Sequence, residues 1–105
     1  MNSPLASRSI VAVSPNGDRL TVVLAIGQPY QVTQEEWAIP VSMTGLHDGL
    51  RDIHGIDAWQ VIQLAYRFII QLLGYFVEDG GKLYWAETEE PLVLQDLVES
   101  FNLKK

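Results

Sequence analysis

The chain contains no cysteine, which excludes disulfides, thiolate zinc sites, iron–sulfur clusters and thiol nucleophiles together. It is also short of positive charge: seven Lys and Arg stand against thirteen Asp and Glu, a net charge of -6 over 105 residues. That balance opposes the counterion release on which DNA or RNA binding depends, so no nucleic-acid partner is expected. No apolar run is long and uninterrupted enough to span a bilayer. The stretch Phe68 to Val77 is broken by Gln71 and Gly74, and Arg67 precedes it. Residues 1–9 hold only short apolar pieces around Pro4 and Arg8, without the core or cleavage site of a signal peptide. A soluble cytoplasmic protein with no membrane partner is the expectation.

What remains suffices for one folded unit. With 48% hydrophobic and 19% charged residues, the chain is too apolar for a disordered acidic tail. A chain of this mass buries roughly 65% of its unfolded surface, enough for one core without staples. No repeat, low-complexity tract or linker interrupts residues 9–103, which read as a single domain.

Ser9 to Val13 and Leu20 to Ile26 are rich in Val and Ile and flank Asn16-Gly17, a tight hairpin signal. Gly27 to Glu36 reads as a polar loop around Pro29. Trp37 to Met43 reads as a third strand, with Trp37, Ile39, Val41 and Met43 alternating and Pro40 favouring an edge. Leu50 to Ile56 can return as a fourth strand. Asp57 then caps a helix over Ala58 to Val77, and Gly80 takes the left-handed conformation that ends it. Lys82 to Trp85 makes a short strand. Leu94, Leu97, Val98 and Phe101 fit one face of a short last helix, able to cover one flank of the long one.

The long helix is the most informative segment. Its polar positions, Gln60, Gln63, Arg67, Gln71 and Glu78, occupy an arc of about 80° and leave about 280° apolar or small. One sheet face cannot cover that much. The expected architecture is α+β: an antiparallel sheet of four or five strands on one long buried helix, plus the short helix.

Chemistry-bearing side chains cluster at His47, Asp48, Arg51, Asp52, His54 and Asp57. If Leu50 to Ile56 is a strand, Asp52 and His54 share a face, and His47 and Asp48 complete a set of nitrogen and oxygen ligands or an acid–base site. The spacing matches no strong metal signature, and no Walker, dinucleotide or GxSxG pattern occurs, so no cofactor is implied. Arg51 and Asp57 are candidates for interaction rather than catalysis, through anion pairing and helix capping. Tyr84 and Trp85 form a candidate aromatic contact surface, and Trp37, Trp59 and Trp85 are candidate lining for a small-ligand pocket.

The residues Arg51, Ile53, Gly55, Asp57, Gln60, Leu64, Arg67, Leu72 and Leu73, followed by Gly80, Gly81, Leu83, Tyr84 and Trp85, form the pattern R-x-I-x-G-x-D, a Gln/Leu-rich helix and GG-x-L-Y-W. This pattern resembles an uncharacterised bacterial family of short single-domain proteins, over roughly Ser9 to Trp85. The resemblance implies a lineage without a reaction, cofactor or catalytic residue. Read together, the residues point to a non-catalytic protein-interaction module, accessory or immunity-like, that self-associates, possible as a homodimer. A small metal-dependent or acid–base enzyme and a small-ligand binder are the alternatives.

Overall fold

In the computed structural model, which describes residues 3–98, the Asn16-Gly17 turn joins strands β1 (Ala6–Val13) and β2 (Arg19–Ile26) in antiparallel register. Gly17 adopts φ +95°, and the Asp18 amide donates to Ser14 Oγ at 3.1 Å. The chain continues through β3 (Tyr30–Thr33), β4 (Glu36–Ile39), β5 (Val41–Thr44), β6 (Ile53–Gly55), α1 (Ala58–Glu78), β7 (Lys82–Trp85) and α2 (Leu94–Val98). The strands form two antiparallel sheets, one of four strands in the order β5-β2-β1-β7 and one of three in the order β3-β4-β6. The fold is α+β.

Pro40 is where the chain changes sheets. The expected single strand from Trp37 to Met43 is two strands, because proline has no N–H to donate and the ladder stops there. The Pro40 carbonyl instead accepts from the Gly27 amide at 2.8 Å. The alternation survives the break: Ile39, Val41 and Met43 are all buried. Two other expectations need correction. The segment read as a loop from Gly27 to Glu36 contains β3, and the fourth strand is limited to Ile53–Gly55, so Asp52 precedes it.

Asp57 starts α1. Its Oδ1 accepts from the Gln60 amide at 2.8 Å, while Gln60 Oε1 accepts from the Ile56 amide at 2.9 Å, so the first turn is closed from both sides. At the other end, the Gly80 amide donates to the Val77 carbonyl at 3.0 Å and Gly80 takes φ +103°. The sequence pattern had placed both boundaries within a residue.

Only Val61, Ala65, Ile69 and Leu73 of α1 are buried. They recur every fourth residue, and each step advances about 40° around the helix, so the row winds through about 120°. The first half of the row packs with Ile39 and Val41 beside the three-stranded sheet. The second half packs with Ile10, Val22, Leu24, Met43 and Leu83 on the four-stranded sheet. The rod is therefore buried along one winding row, and its flanks are left over. By length and composition α1 also suffices to cross a membrane, but its buried row is committed to the two sheets. Among the described residues no polar or charged side chain is buried.

Candidate functional site

The outer face of the three-stranded sheet gathers the only compact set of acid–base side chains found here among the described residues. The register sets Tyr30 and His54 on either side of Ala38. The Tyr30 hydroxyl donates to Asp52 Oδ2 at 2.5 Å, and His54 Nδ1 lies 2.7 Å from Glu36 Oε2. The Tyr30 phenol is held above its ordinary value, first by this hydrogen bond, then by desolvation and the nearby charges of Asp52 and Glu36. Tyr30 and Glu36 were missed because Pro29 and the polar residues around it suggested a loop. The alternation of Tyr30 and Val32 against Gln31 and Thr33 was the available strand signal.

His47 and Asp48 do not join that set. The His47 amide donates to the Met43 carbonyl at 2.9 Å in the turn after β5. There His47 and Asp48 line an open cleft of about 270 Å³ with Leu50 and Asp52. The proposed four-residue ligand set of His47, Asp48, Asp52 and His54 thus falls apart: Asp52 turns to Tyr30, and His54 to Glu36. Among the described residues no group of three His, Asp or Glu side chains is disposed to hold a metal ion. Arg51 is exposed, and Asp57 acts as the helix cap described above.

Tyr84 and Trp85 do not form one surface, since consecutive strand residues point to opposite faces. Trp85 pairs with Ile10 on the inner face, where the Arg8 guanidinium stands 4.6 Å from the ring centroid. Tyr84 pairs with Val11 on the outer face. The three indoles do not share a pocket either. Trp37 packs beside Ile39 and Val41, Trp85 packs with the other core cluster, and Trp59 is 77% exposed in the first turn of α1.

Two surfaces remain unusually free of charge. On α1, Trp59, Tyr66, Ile70 and Val77 fall within an arc of about 40° and extend about 27 Å along the axis. Of these, Trp59, Tyr66 and Val77 are exposed. The second surface is the outer face of the four-stranded sheet. Three cross-strand rows, Thr44–Val23–Ser9, Thr21–Val11–Tyr84 and Ser42–Ala25–Ser7, place nine uncharged side chains side by side. Positive charge enters only at the next row, where Arg19 and Lys82 flank Val13.

Several residues of the R-x-I-x-G-x-D and GG-x-L-Y-W pattern have structural roles. Asp57 and Gln60 close the start of α1, Gly80 ends it, and Gly81 admits the Phe76 ring so closely that a Cβ there would stand 2.3 Å from it. These positions specify where the helix begins and how it returns to the sheet. In comparisons with family models, curated proteins and solved structures, the chain matches none.

Proposed function

We propose that this protein is a non-catalytic cytoplasmic interaction module, accessory or immunity-like, that self-associates through the outer face of its four-stranded sheet. The observation that carries this reading is the block of nine uncharged side chains around Val11 and Val23 in a chain of net charge -6. Two acidic copies repel wherever carboxylates meet, and this face brings none together. A flat face can serve both copies by two-fold symmetry, as an isologous contact requires. The patch measures about 15 by 20 Å from strand spacing and rise, which belongs with small, weak interfaces rather than permanent ones.

The absence of buried polar and charged side chains among the described residues supports the non-catalytic part, because strongly tuned acids, bases and nucleophiles depend on desolvation or close charge partners. The lineage implied by R-x-I-x-G-x-D is kept as part of the proposal. Sedimentation equilibrium at tens of micromolar tests self-association. Dimer for the wild type and monomer for Val23→Glu, with unchanged circular dichroism, is the expected result; a wild-type monomer overturns it.

One observation favours a second reading, a small acid–base enzyme: His54 with Glu36 and Tyr30 with Asp52 meet across Ala38. Turnover in a hydrolase substrate panel that is lost in both His54→Ala and Glu36→Gln would establish it. Turnover unaffected by either change removes it.

A further inference from the structure

We propose that the apolar groove between α1 and the β1–β2 hairpin is the seat of the chain's own residues 99–103, with Phe101 filling it. This surface is separate from the sheet face assigned to self-association. The groove holds about 370 Å³ and is lined by Leu24, Ile26, Tyr66, Ile69, Ile70 and Leu97, with small residues of β1 at its edge. Its one charged lining residue is Arg8, whose guanidinium already lies over Trp85.

The course of α2 supplies the occupant. A Cβ on Gly74 would lie 3.8 Å from Leu94 Cδ1, so α2 begins beside the last third of α1. Three residues on, the Leu97 carbonyl accepts from the Tyr66 hydroxyl at 3.0 Å, eight positions back along α1. α2 therefore runs against the direction of α1, and Val98 delivers the chain to the mouth of the groove. Seven residues follow, Glu99-Ser100-Phe101-Asn102-Leu103-Lys104-Lys105. Phe101 stands four positions after Leu97, the spacing that keeps two side chains on one helical face. Leu103 follows toward Ile62 and Trp59, where the exposed apolar stripe of α1 continues. Burying a phenyl ring removes about 150–250 Å² from water, and the groove supplies apolar walls on both the helix and the sheet side.

A second copy of the protein is the rival occupant. Nuclear Overhauser contacts in the uniformly labelled full chain separate the two. Contacts from the Phe101 ring to the Leu24, Ile69 and Ile70 methyl groups, absent from an isotope-filtered mixture of labelled and unlabelled protein, are expected. Contacts seen only in that mixture, or no contact at all, overturn the proposal. Phe101→Asp should raise the fluorescence of an added hydrophobic dye several-fold, with helix content unchanged. An unchanged dye signal also overturns it. Because Phe101→Asp leaves the Val23 face intact, it should not alter sedimentation, so this inference and the proposed self-association fail separately.

Discussion

The two sheets share one helix but are built differently. The four-stranded sheet buries Ile10, Ala12, Val22, Leu24, Met43 and Leu83 against Ile69 and Leu73, while its outer face is almost without charge. The three-stranded sheet meets α1 at Val61 and Ala65 with only Ile39 and Val41 among its fully buried partners. Its outer face carries Glu36, Asp52 and His54. Cohesion is thus concentrated on one side and titratable groups on the other. Because local stability follows buried apolar contact, the small sheet should open before the large one.

The sharpest way to break that comparison is to cut the helix row at each end. Leu73→Ala should cost about 3 kcal/mol, the loss of a fully buried leucine plus the cavity it leaves. Val61→Ala should cost about 2 kcal/mol, having fewer methyl groups to lose. Urea denaturation measures both. Hydrogen exchange should show Val61→Ala loosening β4 and β6 selectively, and Leu73→Ala lowering protection throughout. Equal, uniform effects would mean that the two sheets form one cooperative unit.

Smaller effects should follow changes at the helix ends. In Gly81→Ala the new methyl would strike the Phe76 ring, which packs against the larger core cluster, and about 1–3 kcal/mol should be lost. Asp57→Ala removes the acceptor for the Gln60 amide and should cost about 1 kcal/mol, most of it regained in Asp57→Asn. Thermal melts of the three variants measure these differences. A loss at Asp57→Asn as large as at Asp57→Ala would show that its charge matters more than its capping bond.

The helix ends were legible in the sequence because capping is local: Asp57, Gln60 and Gly80 act on backbone groups within a few residues. The Asn16-Gly17 hairpin was legible for the same reason. The sheet exchange at Pro40 was not, since alternation around a proline is the same whether the flanking strands share a sheet or separate. The candidate site failed at this point. Asp52 and His54 were assigned to one strand face, but the strand is too short to include Asp52, and their partners Tyr30 and Glu36 come from a segment distant in sequence. The surplus of apolar surface on α1 was visible as an arc. Its course was not, because the winding of the buried row depends on how two sheets meet one helix. The proposed role of Phe101 lies outside the described residues and rests on where α2 leads.

The smallest expected effect concerns the titratable side of the comparison. Tyr30 has its phenol raised above about 10, chiefly because its hydroxyl donates to Asp52. A group whose folded pKa is raised contributes stability that is present below its unfolded value and is lost as pH rises through the folded one. The three-stranded sheet should therefore keep this contribution through neutral pH and lose it only in alkaline solution, above pH about 10. Absorbance at the phenolate band should show a late-titrating component that disappears in Tyr30→Phe and moves down in Asp52→Asn. Exchange at β3 should accelerate over the same alkaline interval in the wild type, while the hydrophobic center of β1 stays protected. If Asp52→Asn leaves the late component in place, the hydrogen bond is not its cause. If β1 and β3 open together, the charged face has no separate local response, and the contrast between the sheets reduces to the amount of apolar surface each one buries.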